Sequence, residues 1–223
     1  MIEMKIAELI LDYRLYPRTT IDATHVRYMV EALQAGKILP PIKADKGSKR
    51  VTDGFHRYSA HRQFSGDDAT IKVIAFPYKD EQEMFRDAMF LNAGHGRALT
   101  KNDRTHCLLV AEKLKMSMDQ VSDALCLTVD ALKKMRTDRV GVVKVDKRGR
   151  KTERALKQTI GYKAGQLLTP DQWEANDKLG GMNASYYANQ LILLLENDLL
   201  DETNEYLAQR LGVLRDLLNR IPA

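Results

Sequence analysis

A strand-type segment passes through a single glycine directly into a helix-type segment near residue 54. Val51 and Thr52 end the extended run, Gly54 supplies the turn, and His56 and Arg57 fall in the first turn of the helix. Free N–H groups at the start of a helix, next to a cation, form an anion site. These residues therefore predict a phosphate-binding turn within an α/β unit.

Extended and helical segments alternate through the first part of the chain. Helix patterns cover residues 24–36, 55–65 and 80–92, and Thr24 is the predicted N-cap of the first. The segment Ile71–Phe76 is rich in β-branched residues, which favour strands. This alternation predicts an α/β (α+β) fold class, with a compact domain at residues 1–98.

A second polar segment, Asn92–Arg97, follows the third helix pattern. It contains a carboxamide, an imidazole, a guanidinium and two glycines. These groups suit phosphate oxygens, and the Asn92 oxygen suits a Mg²⁺ ion held by a nucleotide. A polar hinge between two domains is the alternative interpretation of this segment.

The two polar segments together provide the candidate residues for a nucleotide site. They are Asp53, Gly54, His56, Arg57, Asn92, His95 and Arg97. Gly54 permits close approach of the backbone to a ligand, and Arg57 can bind a phosphate through two N–H groups. In the alternative interpretation, Arg57 forms an ion pair that only stabilises the turn. The sequence assigns no catalytic residue.

Three N-cap residues divide residues 99–141 into short helices. Thr100, Ser117 and Thr128 each precede an apolar repeat with helical spacing. The last two helices are separated by a tight turn, which predicts a helix-turn-helix DNA-binding domain. Its second helix carries the predicted DNA contacts Thr128, Lys133, Lys134, Arg136 and Arg139. An ordinary helical hairpin is the alternative.

Basic residues are concentrated in the middle of the chain. Residues 99–157 hold 15 basic and 8 acidic side chains, whereas residues 169–223 hold 4 and 9. We interpret residues 142–157 as a basic linker that binds DNA phosphates through counterion release. A solvated linker without a partner would have the same composition. The predicted DNA contacts in this linker are Lys144, Lys147, Arg148, Arg150 and Lys151.

Residues 158–223 predict a helical C-terminal domain. Thr169 and Asp201 precede helix-type segments, and leucines recur at spacings of four and three from Leu207 to Leu218. This repeat resembles a short coiled-coil seam, which is compatible with a homodimer or with packing inside the chain. The acidic charge of these helices also suits a protein partner.

Several classes of protein do not fit the composition. No run of about 18 apolar residues is present and the N-terminus lacks a signal-peptide core, so we expect no membrane partner. Two cysteines without a CxxC motif favour a reducing cytoplasm over a disulfide scaffold. The P-loop, HExxH and GxSxG motifs are absent, and the five histidines are dispersed.

Four motifs in register resemble the ParB/sulfiredoxin superfamily over residues 4–140. Gly36-Lys-Ile-Leu-Pro-Pro-Ile42 is similar to the family's G-x-L-x-P-I segment, and Asp53-Gly-Phe-His-Arg-Tyr-Ser-Ala60 is similar to its G-E-R-R-x-R-A box. Asn92–Arg97 falls at the position of the E-N-x-x-R box, and the helix-turn-helix follows at the expected place. Arg18 matches an arginine that follows the family's leading strand.

This resemblance implies a protein that binds double-stranded DNA and CTP, or another nucleoside triphosphate, with Mg²⁺. In ParB proteins the two boxes hold the phosphates and the metal, and nucleotide binding closes a dimeric clamp around DNA. Carried over by position, Gly54, His56 and Arg57 would hold phosphates and Asn92 would lie near the metal. We expect nucleotide-coupled DNA binding, in partition or in transcriptional regulation.

The chain also departs from the family pattern at positions that decide its chemistry. Sulfiredoxin activity needs a cysteine thiolate where this chain has Phe55, so that activity is excluded. A ParB-like nuclease or a nucleotide-dependent phosphotransferase would use Asp53 or His56. Nuclease metal sites generally need clustered carboxylates, which disfavours the nuclease. Weak hydrolysis of a bound triphosphate and an interaction adaptor are further alternatives.

Overall fold

The computed structural model describes residues 1–94, 97–180, 182–201 and 203–221. Its contacts divide the chain into two units, Met1–Gly181 and Met182–Ala223. The first unit contains a mixed α/β part, further helices and a β-hairpin, in agreement with the predicted fold class. The predicted start of a C-terminal domain at residue 158 does not coincide with the division between the units.

The helices and strands follow in the order that the capping residues and β-rich segments indicate. The helices of the first unit are α1 (Ala23–Gln34), α2 (Phe55–Ser65), α3 (Glu81–Gly94), α4 (Lys101–Lys113), α5 (Met118–Leu125), α6 (Val129–Arg139) and α7 (Pro170–Lys178). The strands are β1 (Ile2–Lys5), β2 (Ile42–Asp45), β3 (Val51–Asp53), β4 (Thr70–Phe76), β5 (Val140–Val145) and β6 (Lys151–Ala155). The second unit contains α8 (Ala184–Glu196) and α9 (Glu205–Leu218).

The helices α4, α5, α6 and α7 begin at predicted N-caps, because a side-chain oxygen accepts an N–H group of the first turn. The hydroxyls of Thr100, Ser117 and Thr128 do so at α4, α5 and α6. Two predicted caps are wrong. Asp22 rather than Thr24 caps α1, and Asn204 rather than Asp201 caps α9.

β1 to β4 form a four-stranded mixed sheet in the order β1-β4-β2-β3. β4 runs antiparallel to β1 and parallel to β2, and β3 pairs antiparallel with β2. Ile42, Val51 and Val73 of the sheet share a buried core with Phe55 of α2. β3 ends at Asp53, and Gly54 then leads directly into α2. The junction therefore has the strand–glycine–helix form that the sequence predicts.

A second core joins α3 to the helices that follow it. Phe85 and Met89 of α3 pack in one buried cluster with Leu108 of α4, Leu125 of α5 and Leu132 of α6. The predicted boundary between residues 98 and 99 therefore does not separate two cores.

α5 and α6 are joined by a three-residue turn, as the helix-turn-helix prediction requires. Cys126 begins this turn in the left-handed backbone region, with a φ of 53°. Ser122 strengthens the turn because its hydroxyl donates to the Leu127 carbonyl at 2.5 Å. The turn is thus stabilised at both ends, since Thr128 caps the helix that follows.

The predicted basic linker at residues 142–157 is wrong: most of it belongs to a β-hairpin. β5 pairs antiparallel with β6, so that Val140 lies opposite Ala155 and Val145 lies opposite Lys151. Four of the six residues of β5 are strand-favouring valines, and Gly149 supplies a positive φ of 76° in the connecting turn. The many cations in this segment obscured that strand pattern.

The second unit presents apolar side chains on both of its helices. None of the residues of α8 or α9 is buried. Leu193 on α8 and Leu217 on α9 are 52% and 50% exposed. Among the helices that the structure describes, none is long and apolar enough to cross a membrane.

Candidate functional site

A cavity of about 360 Å³ lies where β3, α2, α1 and the end of α3 meet. It is lined by all the predicted nucleotide contacts that fall in the described parts of the chain: Asp53, Gly54, His56, Arg57, Asn92 and Arg97. The remaining predicted contact, His95, lies outside the described residues. The fold therefore brings together the two polar segments that the sequence singled out.

Gly54 is the N-cap of α2 and adopts a backbone conformation that other residues avoid. Its φ is 108°, and no side chain caps the helix. An added Cβ would lie 3.1 Å from Ile42 and 3.2 Å from the Arg57 guanidinium. Both constraints favour glycine, and the first-turn N–H groups of α2 stay available to a ligand in the cavity.

Arg57 is held by the backbone and by one carboxylate. Its Nη1 donates to the carbonyls of Pro41 and Pro40 at 2.6 and 3.2 Å, and its Nη2 donates to Asp53 at 2.6 Å. This is the ion pair foreseen in the alternative interpretation of the turn. Since Arg57 also lines the cavity, its guanidinium is fixed in place beside any ligand there.

Arg18 lines the same cavity and is buried at 7% exposure. Its Nε donates to Asn92 Oδ1 at 3.3 Å, and its Nη groups donate to the carbonyls of Arg97 and Ala98. These acceptors are neutral, and no carboxylate in the described ranges forms an ion pair with Arg18. A buried cation without a counter-ion makes the cavity electropositive. Our predicted contacts omitted Arg18, although the family resemblance had matched its position.

Asn92 does not fit the predicted role beside Mg²⁺. Its Oδ1 accepts from the Arg18 guanidinium, and its Nδ2 donates to the Ala88 carbonyl at 2.9 Å. A metal ion at Oδ1 would face the positive charge of Arg18. Within the described residues, no group of three or more His, Cys, Asp or Glu side chains is arranged to hold a metal ion.

His56 is a hydrogen-bond acceptor in this structure. Its Nε2 accepts the Asp22 N–H group at 3.1 Å, and the His25 ring lies 5.2 Å away. Burial lowers the pKa of His56 to about 4, and the neighbouring His25, Arg18 and Arg97 add to the effect. The ring is therefore neutral near pH 7. Arg97 forms an ion pair with the Asp22 carboxylate beside it.

Tyr16 contributes a buried hydroxyl that the sequence did not indicate. The ring is 3% exposed and stacks on Phe55, with 4.2 Å between the ring centroids. Its hydroxyl has no hydrogen-bond partner among the described residues. Since Tyr16 lines the cavity, a ligand oxygen could satisfy this group.

The predicted DNA contacts lie on α6 and on the β-hairpin. Thr128, Lys133 and Lys134 are exposed, whereas Arg139 is half-buried. Arg136 is also half-buried, because its guanidinium donates to Glu112 at 3.0 Å and to Glu153 at 2.5 Å. Arg136 thus ties α6 to α4 and β6. The predicted contacts on the hairpin are all exposed: Lys144, Lys147, Arg148, Arg150 and Lys151.

Comparison with known sequences gives one short match. No family model matches the chain. Over 80 residues it is 39% identical to the "Transcriptional regulator NovG" of Streptomyces niveus. The match covers 36% of this chain and 23% of that protein, so the chain matches less than a quarter of the length of this relative.

Comparison with solved structures gives ParB proteins at low sequence identity. C-terminally truncated ParB from Caulobacter crescentus, complexed to the centromeric parS site, is 16% identical over 61% of this chain and 71% of that chain, with a TM-score of 0.43. The same protein complexed with CTP-gamma-S is 15% identical over 61% and 77%, with a TM-score of 0.38. A Pnob8-like ParB-N domain is 14% identical over 69% and 56%, with a TM-score of 0.42. The chain is similar to these solved ParB proteins over 61–69% of its length.

Proposed function

We propose that this protein is a DNA-binding regulator whose N-terminal cavity binds a nucleoside triphosphate, with CTP as the first candidate. The convergence of the predicted contact residues on one electropositive cavity carries the proposal. Arg18, Arg57 and Arg97 line the cavity, where Asp53 is the lining carboxylate. Arg57 is paired with Asp53 and Arg97 with Asp22, so among the described residues the unpaired positive charge of the cavity is that of Arg18. Guanidinium groups bind phosphate oxygens through paired N–H donors, which suits a triphosphate.

The remaining lining suits the other parts of a nucleotide. Met29, Leu39, Pro40 and Leu91 provide an apolar surface for a base or ribose. The Tyr16 hydroxyl provides an unpaired donor. The cavity volume lies within the usual range for small-molecule sites. The Asn92 oxygen accepts from Arg18 and is not free to hold a metal ion. Mg²⁺ would therefore be held by the phosphates of the nucleotide.

DNA would be bound through α5 and α6. α6 presents Lys133 and Lys134 to solvent, and side chains of a second helix in this arrangement reach base edges in the major groove. The match to a transcriptional regulator favours control of transcription over partition as the biological role. α3 would couple the two sites, because it contributes Asn92 to the cavity and Phe85 to the core of α4 to α6.

Catalytic turnover is not part of this proposal. Nε2 of His56 already accepts an N–H group, and the carboxylate of Asp53 is paired with Arg57. Neither candidate base is free to take a proton from a bound water or hydroxyl. The nuclease and phosphotransferase alternatives therefore gain no support from the geometry.

Calorimetry tests the nucleotide site. The full chain is titrated with CTP, ATP, GTP and UTP in the presence of Mg²⁺, together with Arg57→Gln and Arg62→Gln. Both variants remove one cation from α2, but Arg62 is exposed and pairs with Asp67 outside the cavity. We expect Arg57→Gln to lose at least tenfold in affinity (~1.4 kcal/mol), and Arg62→Gln to bind like the wild type.

Retention of wild-type affinity by a folded Arg57→Gln protein would show that this cavity does not hold the phosphates. Failure of the wild type to bind any of the four nucleotides would overturn the nucleotide part of the proposal. A thermal melt of each variant accompanies the titrations, because Arg57 also stabilises the turn.

Selection from a pool of duplexes with a random centre of about 30 base pairs tests the DNA site, since that length spans up to three helical turns. The wild type should enrich a common sequence. Lys133→Ala/Lys134→Ala should lose the enrichment, whereas Lys46→Ala/Lys72→Ala should retain it. The latter lysines are also exposed but lie in the turn after β2 and on β4. If the Lys133/Lys134 variant enriches the same sequence, α6 does not read the bases.

A further inference from the structure

The β5–β6 hairpin has an ordered, cationic turn. Asp146 Oδ1 accepts the N–H groups of Arg148 and Arg150 at 2.8 and 2.9 Å, and Asp146 Oδ2 accepts from the Arg150 side chain at 2.7 Å. Gly149 supplies the positive φ that closes the turn. The backbone of the turn is therefore fixed by internal hydrogen bonds rather than being a loose connection.

The base of the hairpin is fixed to α6 and α4. The Leu156 N–H group donates to the Arg139 carbonyl at 2.7 Å, directly beside the end of α6. A Cβ at Gly141 would lie 2.6 Å from Leu168 and 2.9 Å from Leu156, so the strand is closely packed there. Arg136 connects this base to Glu112 and Glu153. Because β5 begins one residue after α6 ends, the hairpin and α6 form a rigid unit.

Charge on the hairpin is segregated toward its turn. Four cations there have no carboxylate partner in the described parts of the chain: Lys144, Lys147, Arg148 and Lys151. The acidic residues of the hairpin are both neutralised, Asp146 by Arg150 and Glu153 by Arg136. Only the base carries buried apolar residues, so the turn end has no packing role that would explain it.

The length of β5 matches the spacing of grooves in DNA. Its six residues rise about 3.3 Å each, which places the turn roughly 20 Å from the end of α6. Half a helical turn of B-DNA is about 17 Å, so a helix in the major groove has the neighbouring minor groove at that distance. Long cations enter narrow, A·T-rich minor grooves favourably, since the negative potential is strongest there.

We propose that the β5–β6 hairpin is a wing that places Lys147 and Arg148 in an A·T-rich minor groove beside the major groove bound by α6. This inference rests on the proposed DNA binding through α6. It assigns a second, independent contact and a sequence preference for the flank. The two elements together would read a site longer than α6 alone can cover.

The duplex selection described above, repeated with Lys147→Ala/Arg148→Ala, tests the wing. Both side chains are exposed and unpaired, so the variant should fold like the wild type, which a thermal melt checks. We expect wild-type sites to contain an A·T tract about half a helical turn from the core sequence. The variant should keep the core and lose the tract. Lys46→Ala/Lys72→Ala is the control with the same loss of charge.

The salt dependence of binding to one selected duplex provides a second readout. Loss of two phosphate-proximal cations should reduce the slope of log K against log salt by about 2, and affinity near 0.1 M salt by about tenfold. If the variant still selects the A·T tract and keeps the wild-type slope of log K against log salt, the proposed wing is wrong. The proposed binding of DNA by α6 would not be affected by that result. If the wild type enriches no sequence at all, the proposed function and the wing both fall.

Discussion

Phe55 decides which chemistry the turn at Gly54 can support. The side chain is 2% exposed and packs between Tyr16 and the sheet core. A residue that is buried in this way neither attacks a ligand nor holds a metal ion. The sequence already excluded sulfur chemistry from this position, and the structure shows that the Phe55 ring supports the Tyr16 ring at the cavity wall.

His56 should make stability sensitive to acid. Its folded-state pKa is lowered to about 4 from an ordinary value of 6.5, so the unfolded chain binds a proton first as the pH falls. The stabilisation that the neutral ring gives to the folded state is fully present above about pH 6.5. It is lost as the pH falls from 6.5 to about 4. For this partly exposed ring we expect a loss of about 1 kcal/mol from pH 7 to 5.

Urea unfolding at pH 7 and pH 5 measures this effect, with His56→Asn as the reference. Asparagine keeps an acceptor for the Asp22 N–H group but does not titrate. The change in unfolding free energy between pH 7 and pH 5 is measured for each protein, and the value for His56→Asn is subtracted from that of the wild type. This subtraction is needed because burial also lowers the pKa of His61 and His106. Equal losses in the wild type and in His56→Asn would refute the assignment to His56.

Cys126 has a backbone conformation that favours glycine. Its φ of 53° is unfavourable for any residue with a side chain, and the residue is exposed. Cys126→Gly should be more stable than Cys126→Ala by about 0.5–1 kcal/mol, because glycine adopts this conformation without strain. Chemical denaturation of both variants measures the difference. A less stable glycine variant would indicate that the left-handed conformation is not strained in this turn.

The structural role of a single residue could be predicted where only one residue type can fill that role. Gly54 was identified because only glycine combines a positive φ with close approach. The hydrogen bonds of Arg57 to Pro40 and Pro41 could not be predicted, because they depend on how the chain folds back before β2. Tyr16 gave no signal either, since its unpaired hydroxyl arises only from tertiary packing.

At the scale of secondary structure, local signals determined what could be predicted. A capping side chain accepts a backbone N–H group only two or three residues further along the chain. The starts of α4, α5 and α6 were therefore predicted correctly. The hairpin was missed because its cations were taken as the main property of the segment. Its four valines and the Asp146–Arg150 turn were visible, but they are typical of a hairpin only when the two strands are considered together.

Gly141 gives a direct test of how tightly the hairpin is packed. A Cβ there would lie 2.6 Å from Leu168, so Gly141→Ala should destabilise the protein by about 1–3 kcal/mol through overpacking. Gly161→Ala is the matched control, because its nearest neighbour would lie at an ordinary 3.7 Å. Its effect should be smaller than about 0.5 kcal/mol. Urea denaturation of both variants measures these values, and equal stabilities would contradict the close packing.

For the whole molecule, the apolar helices of the second unit predict self-association. Leu193 and Leu217 expose about half of their side chains to solvent. We expect the wild type to sediment as a dimer, and Leu193→Ser/Leu217→Ser to sediment as a monomer, because the contact loses apolar area. Ile38→Ser/Ile10→Ser, with exposed positions in the first unit, is the control. A monomeric wild type in analytical ultracentrifugation would contradict this prediction.

The shared core of α3 to α6 has a consequence for how the protein opens. Because Phe85 packs with Leu125 and Leu132, the amides of α5 and α6 should exchange with solvent only when α3 also loosens. A ligand in the cavity that Leu91 and Asn92 of α3 line would suppress that opening, by about 2.7 kcal/mol at a hundredfold excess over Kd. Hydrogen exchange with and without nucleotide should therefore slow in α6, where no ligand atom reaches. In this way a ligand in the cavity would stabilise α6, the helix proposed to bind DNA, without any change in its conformation.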